Sequence, residues 1–224
     1  MKMKGLILKD FYYLKGFIRT YLLILVFMAV WSVMVKNSSF IVTYLLVIGN
    51  TLILSISTMD EAVSFNRFAL TMPINMKMLV KAKYILLVLV EAGALLIGLI
   101  MGLLVRIVPY RLNGVSLWVK DEFDWMGTIV LFVLFMLICC ITLPAIFKLG
   151  VEKARHIYVA VMLGFAILVF GGLKLCQMAG ISLDGFNKIE KTPEAVVFVL
   201  LLLCVGAVLV SYRVSLMIVS KKEW

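Results

Sequence analysis

The sequence predicts an all-α membrane protein with several spanning helices, and two properties of the chain support that prediction. Hydrophobic residues make up 64% of the 224 residues, whereas charged residues make up only 15%. A soluble domain is about 45–50% apolar and about 25% charged, because much of its surface must face water. The apolar residues also form long runs. A helix needs about 20 such residues to cross a bilayer, and the runs are close to that length. We therefore exclude a soluble enzyme, a disordered regulator and a secreted disulfide scaffold.

Six apolar runs are candidate transmembrane helices, and together they predict one membrane domain over residues 1–224. The runs cover residues 20–35, 40–59, 85–105, 125–147, 157–173 and 195–212. The first and the fifth are short, so they need flanking residues or a thinner bilayer. Gly98 and Gly102 in the third run permit close approach of a neighbouring helix.

Residues 1–19 have the pattern of an amphipathic helix that lies on the membrane surface. Apolar side chains recur there at helical spacing and form one stripe, made of Ile7, Phe11, Leu14 and Ile18. Lysine and arginine side chains elsewhere on the same helix would lie near anionic lipid headgroups. We predict a helix on the cytoplasmic leaflet, although a plain basic segment that only sets topology would have a similar sequence.

The positive charges predict the orientation in the membrane. Of the 22 lysines and arginines, 15 lie at the chain ends and in the second and fourth connecting segments, and 7 lie in the other three segments. The positive-inside rule then places both termini on the cytoplasmic side of a bacterial cytoplasmic membrane. Because topology explains the net charge of +10, we predict no nucleic-acid partner.

Motifs for covalent chemistry are missing from the sequence. The chain has no GxxxxGK[ST] phosphate-binding loop, and it has neither GxSxG nor HExxH. Its four cysteines have no CxxC spacing, so neither a metal site nor a disulfide is predicted. We expect no enzymatic activity, no metal and no cofactor in this chain.

Glu91 is the one ionisable residue deep within a predicted span. A charge inside a membrane is costly, so such residues usually face protein or water and often mark a transport pathway. Glu91 lies near the cytoplasmic end of its span, where it could also reach toward the headgroups. The polar side chains of the second span, Asn50, Ser55 and Ser57, are candidate partners. Glu91, Asn50 and Ser55 are therefore candidates for a pathway or a dimer interface, and a purely structural role remains equally consistent with the sequence.

The second connecting segment, within residues 57–85, has the most distinctive pattern in the chain. The second span ends at an acidic pair, Asp60 and Glu61, and two phenylalanines follow at helical spacing, Phe65 and Phe68. A cytoplasmic linker usually lacks exposed aromatic side chains. The pair therefore indicates docking, either onto a soluble partner protein or, equally, onto lipid.

This segment resembles the permeases of type-2 ABC exporters. The resemblance rests on the order of an acidic pair, a short aromatic helix, a Thr-Met-Pro-Ile turn, a basic segment and a Lys-Tyr pair that enters the next span. It is most similar to small bacterial permeases that export bacteriocins and amphipathic peptides, including phenol-soluble modulins. The opening sequence, MKMKGLILKDFYYLKG, resembles the start of the same permeases.

The resemblance implies a coupling helix that sits in a groove of a separate ABC ATPase subunit. The residues that it assigns to this contact are Asp60, Glu61, Phe65, Asn66, Arg67 and Phe68, with a minor contact from Lys148, Glu152 and Arg155. ATP and magnesium would bind to that subunit. The complex would contain two ATPase subunits, and a second copy of this chain or a paralogous permease.

The leading hypothesis is therefore a permease subunit that exports amphipathic or antimicrobial-type peptides, or lipids, since apolar walls suit such substrates. The alternative is a non-transporting immunity or scaffold protein that binds a toxin or another partner. An ion-coupled carrier fits less well, because it would need more charge within the membrane and inverted repeats. An ATPase reading frame beside this one would favour the first hypothesis.

Overall fold

The computed structural model is a helical bundle with one small β-hairpin, and it describes residues 2–35, 37–65, 68–69, 76–107, 110–112, 115–117, 123–178 and 193–221. The long helices are α1 (Lys2–Val35), α2 (Ser39–Ala62), α3 (Met76–Ile107), α4 (Trp125–Leu149), α5 (Val151–Met178) and α6 (Pro193–Lys221). One helix corresponds to each predicted apolar run. Every helix continues beyond its run at one end or both.

A short hairpin departs from the all-α prediction. Its strands, β1 (Tyr110–Leu112) and β2 (Val115–Leu117), pair antiparallel between α3 and α4. The two residues between them in the sequence are Asn113 and Gly114, a pair that strongly favours a two-residue hairpin turn. The all-α prediction overlooked this signal.

α1 is one continuous helix of 34 residues. The structure therefore does not show the predicted division between a surface helix over residues 1–19 and a span over residues 20–35. The reason is that no proline or other strong breaker separates the two parts, and isolated glycines such as Gly5 and Gly16 only weaken a helix. At about 1.5 Å per residue, α1 is longer than the roughly 30 Å hydrocarbon core of a bilayer.

Three of the four residues of the predicted apolar stripe of α1 lie beside other helices, although two of them are largely exposed, Phe11 at 46% and Ile18 at 49%. Phe11, Leu14 and Ile18 line an apolar cleft of about 410 Å³ whose other walls are α2 and α3. On an adjoining face of the same helix, Leu6 and Asp10 are buried. The N-terminal part of α1 thus packs along the bundle, and the role of the stripe at a membrane surface stays a prediction.

α2, α3 and α4 form the centre of the bundle. α1 packs on α2 and α3, α5 packs on α4 and α2, and α6 packs on α4 and α3. Leucines of the three central helices are almost completely buried, including Leu46, Leu87 and Leu143. In a bilayer such contacts stabilise the fold through close packing, since lipid tails are as apolar as leucine.

The close approach of α2 and α3 depends on the two glycines in the third span. A Cβ atom on Gly98 would lie 3.1 Å from the Cα atom of Val42, and one on Gly102 would lie 3.4 Å from the carbonyl oxygen of Ser38. At Gly98 the neighbouring backbone leaves little room for a larger residue, whereas at Gly102 a Cβ atom would be close to ordinary van der Waals contact. The prediction that these glycines permit a close helix contact is confirmed.

The surface of the bundle is apolar, as a bilayer requires. Within the described residues, five helices are long and apolar enough to cross a membrane, namely α1, α2, α3, α4 and α6. Large apolar side chains cover their outer faces, for example Leu23, which is 71% exposed, and Phe198, which is 68% exposed. Such a continuous apolar surface suits lipid. The chain is therefore a multi-pass membrane protein.

The described part of α5 does not meet the same criterion of length and apolar composition. A sixth span over residues 157–173 therefore stays a prediction. α5 has 28 residues, which corresponds to about 42 Å of helix. Tyr158 and Met162 pack in one cluster with Leu46 of α2 and Phe135 of α4. Because α5 lies beside the middle of two spanning helices, we expect it to cross with them. The predicted cytoplasmic position of both termini depends on that crossing.

Candidate functional site

The candidate site lies at one end of the bundle, which we call the basic end. It is formed by the starts of α1, α3 and α5 and by the ends of α2, α4 and α6. This is the end that the charge distribution predicts to be cytoplasmic. Of the residues assigned to the predicted coupling helix, Asn66 and Arg67 lie outside the described residues, as do residues 70–75.

Two lysines and two aspartates from three helices form a buried group at the basic end, which we call the ion cluster: Lys9, Asp10, Asp60 and Lys83. Asp60 accepts hydrogen bonds from both lysines, each over 2.5 Å. Asp10 Oδ1 lies 3.2 Å from Lys9 Nζ and 3.5 Å from Lys83 Nζ. Every charge therefore has two partners of opposite sign. Three of the four residues are less than 9% exposed, and Lys9 is half-buried.

The ion cluster joins both ends of the predicted coupling segment to α1. Asp60 is near the end of α2, Lys83 is near the start of α3, and Lys9 and Asp10 are on α1. Removing one member of a buried group of charges leaves its partners uncompensated, which typically costs about 3–5 kcal/mol. Lys9, Asp10 and Lys83 were not predicted as site residues, although all lie in the two stretches that carried the family resemblance.

Lys9 also contacts an aromatic ring of the predicted coupling segment. Its Nζ atom lies 3.5 Å from the centroid of the Phe65 ring and 5.4 Å from that of Tyr13, within the range of cation–π interactions. Phe65 is half-buried against the core, whereas Phe68, whose ring centroid is 6.3 Å away, is 53% exposed. Of the two phenylalanines predicted to be exposed, Phe68 is therefore the more exposed one in the structure.

Glu61 joins the end of α2 to the start of α5. Its Oε2 atom accepts a hydrogen bond of 2.6 Å from the backbone N–H of Val151, one of the N–H groups that a helix leaves unpaired in its first turn. Gly150 precedes it with φ 86° and ψ 169°, a conformation open almost only to glycine. A Cβ atom on Gly150 would also lie 3.0 Å from Glu61 Oε1. The second and fourth connecting segments are thus held together.

The three residues of the predicted minor contact are exposed at the basic end. Lys148 is in the last turn of α4, and Glu152 and Arg155 are near the start of α5. Lys148 also lines a shallow cleft with the end of α6. The structure therefore brings these residues to the same end as Phe68, and the contact with an ATPase stays a prediction.

A second polar group lies inside the bundle around Glu91. This carboxyl group has no exposed surface, and its Oε1 atom accepts a hydrogen bond of 2.8 Å from Asn50 Nδ2. The thiol of Cys139 donates to Asn50 Oδ1 over 2.9 Å. Glu91 Oε2 has no hydrogen-bond partner among the described residues. One polar side chain from each of α2, α3 and α4 therefore meets in an otherwise apolar core.

Only one of the three predicted partners of Glu91 contacts it. Asn50 binds it, but the hydroxyls of Ser55 and Ser57 donate instead to backbone carbonyls one turn earlier in α2, over 2.8 Å and 2.9 Å. On a membrane helix a serine hydroxyl can make its hydrogen bond to the backbone of its own helix, so it needs no partner on a second helix. In this conformation Glu91 lies within one chain rather than on an open surface. Its role in a pathway or a dimer interface, and that of Ser55, stay predictions.

Tyr84 joins α3 to α6. Its hydroxyl lies 2.5 Å from Ser211 Oγ and 2.8 Å from Ser215 Oγ, both on α6. Ser211 Oγ in turn lies within hydrogen-bonding distance, 2.6 Å, of the carbonyl oxygen of Cys140 on α4. The adjacent residues Lys83 and Tyr84 therefore fix α3 to different helices, which explains the Lys-Tyr pair at this position.

Comparison with known proteins gives one match. A family model described as "ABC-2 family transporter protein" matches residues 5–220, which include the ion cluster and the polar group around Glu91. No curated protein and no solved structure matches the chain.

Proposed function

The chain belongs to the ABC-2 family of transporter proteins, and we propose that it is the permease subunit of an exporter whose ATP is hydrolysed by a separate subunit. The family match over residues 5–220 is the observation that carries this proposal, because it supports a permease role and pairing with an ABC ATPase. ATP and magnesium would bind to that partner, since the sequence of this chain contains no phosphate-binding loop.

The ATPase would bind at the basic end, through the segment between α2 and α3. The support is the way in which this segment is held: Asp60 before it and Lys83 after it pair directly over 2.5 Å. A displacement of the segment would therefore reach α2 and α3 together, and α1 through Lys9. Such a concerted shift of packed helices is the kind of rigid-body change that an ATPase cycle can drive.

The fourth connecting segment would move with the second. The hydrogen bond from the Val151 backbone N–H to Glu61 connects the two directly. Exposed Phe68, Lys148, Glu152 and Arg155 would then form one contact surface for the ATPase. An aromatic side chain with charged neighbours is typical of a protein interface with a small number of dominant contacts.

As substrates we propose amphipathic peptides or lipids, moved out of the cell by two permease and two ATPase subunits. The apolar cleft between α1, α2 and α3 supports this substrate class, because its walls are formed almost only by apolar side chains such as Leu22, Ile48 and Val90. The resemblance of the sequence to exporters of bacteriocins and amphipathic peptides points the same way.

The test is copurification with the ABC ATPase that we expect to be encoded beside this chain. We expect the wild-type chain to bind it, and the double variant Phe65→Ala with Phe68→Ala to bind at least about tenfold more weakly, since each buried phenylalanine contributes about 1.5–3 kcal/mol. The matched control is Phe40→Ala with Phe198→Ala, which removes two exposed phenylalanines at the opposite end.

Two outcomes would contradict the proposal. Normal binding by the Phe65 and Phe68 double variant would show that the contact lies elsewhere. A wild-type chain that binds no ATPase, in a membrane where it folds, would favour the non-transporting immunity or scaffold protein.

A further inference from the structure

Lys9 connects the N-terminal helix to the predicted ATPase contact through two interactions of the same atom. Its Nζ lies 2.5 Å from Asp60 Oδ1 and 3.5 Å from the centroid of the Phe65 ring. The Lys9 side chain is only 22% exposed, and that of Asp60 is 8% exposed. Because water reaches this ammonium group poorly, both interactions are screened less than they would be at a surface.

This contact adds to the packing of Phe65 against the core, since α2 itself does not extend to the ring. The helix ends at Ala62, and Ser64 has φ 49°, in the left-handed region. The backbone therefore changes direction between the ion cluster and the ring. Lys9 spans that change: its charge is fixed by Asp10 and Asp60, and the negative face of the ring is attracted to the fixed charge.

We propose that Lys9 is a positioning residue for the ATPase contact. It holds the Phe65 ring, and Phe68 beside it, in the orientation that the ATPase meets. This inference rests on the proposed function, since it concerns the same contact surface. It also makes α1 a third helix, beside α2 and α3, through which a movement of the ATPase reaches the membrane.

Substitutions at Lys9 separate this role from a general effect on folding. Lys9→Met keeps the length of the side chain. It removes the positive charge that contacts both Asp60 and Phe65. Lys9→Arg keeps the charge, and a guanidinium group binds carboxylates and stacks on aromatic rings. Lys15→Met is the matched control, because Lys15 is exposed on the same helix.

The first measurement is the affinity of the purified chain for the ATPase. We expect Lys9→Met to weaken binding about tenfold, in line with a cation–π contact and an ion pair that are partly desolvated. Lys9→Arg should restore most of the affinity, and Lys15→Met should leave it unchanged. Wild-type affinity in Lys9→Met would overturn the proposal.

A double-mutant cycle with Phe65→Leu tests whether Lys9 acts through the ring. If it does, Lys9→Met should weaken ATPase binding in the wild-type background but have no further effect once Phe65 is replaced. If Lys9 only stabilises the fold, the loss should be the same in both backgrounds and should follow the melting temperature. That second result would overturn the proposal.

A measurement on the chain alone separates this inference from the proposed function. The reporter is Phe65→Trp in a chain whose four native tryptophans are replaced by phenylalanine. Acrylamide should quench its fluorescence more strongly in Lys9→Met, but not in Lys9→Arg. If the ATPase binds and neither quenching nor affinity changes, only the role of Lys9 is wrong. If no ATPase binds the wild-type chain, the proposed function is overturned and the role of Lys9 with it.

Discussion

Asp60 and Glu61 are neighbours in the last turn of α2, but their carboxylates bind different helices. Asp60 accepts hydrogen bonds from Lys83 on α3 and from Lys9 on α1, whereas Glu61 accepts one from the first backbone N–H of α5, that of Val151. One dipeptide thus joins the end of α2 to three other helices. Both residues were predicted to contact an ATPase, and these internal partners give them a structural role whether or not they also do so.

Breaking the ion cluster should destabilise the basic end, because the remaining charges stay buried without full compensation. We expect Asp60→Asn to lower the free energy of unfolding by about 3–5 kcal/mol, because Lys9 and Lys83 lose the carboxylate that they share. Thermal unfolding in detergent measures the change. Glu152→Gln is the control, since it removes an exposed carboxylate at the same end. Equal melting temperatures for the two variants would show that the ion cluster is not formed.

Gly150 should tolerate no side chain. Its φ of 86° and ψ of 169° cost a non-glycine residue about 1–3 kcal/mol, and a Cβ atom would press on Glu61. We therefore expect Gly150→Ala to lower the melting temperature and to loosen the start of α5. Gly164→Ala is the control, because Gly164 lies within α5 and no atom lies within 4 Å of its Cβ position. This substitution should be neutral or stabilising. A stable Gly150→Ala would refute the Glu61 contact.

The contact between α2 and α3 can be tested with two glycines of the same helix. A Cβ atom on Gly98 would lie 3.1 Å from the Val42 backbone, so Gly98→Ala should push the helices apart and cost about 1–3 kcal/mol. Gly93→Ala should have little effect, since nothing lies within 4 Å of its Cβ position. Thermal unfolding of both variants measures the difference. Equal melting temperatures for Gly98→Ala and Gly93→Ala would contradict this packing of α2 on α3.

The helices could be predicted from the sequence because each apolar run is long enough to require one. The Asn50–Glu91 contact was also predictable, since a carboxyl group and an amide inside a membrane both require hydrogen-bond partners. Cys139 was not, because a buried cysteine usually behaves as a small apolar residue. The hairpin was not predicted, although Asn113 and Gly114 provide a local signal for it.

The ion cluster could not be predicted from the sequence. Lys9 and Asp60 are 51 positions apart, and their meeting depends on which faces of α1 and α2 pack together. The apolar pattern leaves this undetermined, because lipid and protein accept the same side chains. α1 was divided at residue 20 for a related reason: its composition changes near that residue, whereas helix continuity depends on the backbone, which no proline interrupts there.

Membrane topology should follow the 15 to 7 distribution of positive charges. In a chain without native cysteines, we expect a membrane-impermeant thiol reagent to label Asn113→Cys and Asn187→Cys in intact cells, but not Asn75→Cys. Labelling at position 187 requires that α5 cross the membrane, so this variant tests the sixth span directly. Labelling at position 75 from outside would reverse the predicted orientation.

Glu91 provides the sharpest test of the membrane core. Glu91→Gln keeps an oxygen that can accept the hydrogen bond from Asn50 Nδ2, so we expect a folded chain with near-normal stability. Glu91→Leu removes the acceptor and leaves Asn50 Nδ2 with only its two carbonyl contacts at 3.5 Å. An unsatisfied buried donor costs about 1–3 kcal/mol, so the melting temperature should fall. Replacing Asn50 by leucine as well should recover part of that loss, because the unpaired amide is then removed.

The same variants decide between a structural Glu91 and one that lines a pathway. Glu91 has no exposed surface and holds α2 and α3 together, so we expect Glu91→Gln to leave ATP hydrolysis by the reconstituted complex close to the wild-type rate. If Glu91→Gln folds normally but abolishes ATP-driven activity, the charge itself is required, and Glu91 must reach the pathway in another conformation. If Glu91→Leu is as stable as the wild type, the hydrogen bond to Asn50 contributes nothing. The packing of α3 on α2 would then rest on Gly98 and the apolar side chains alone.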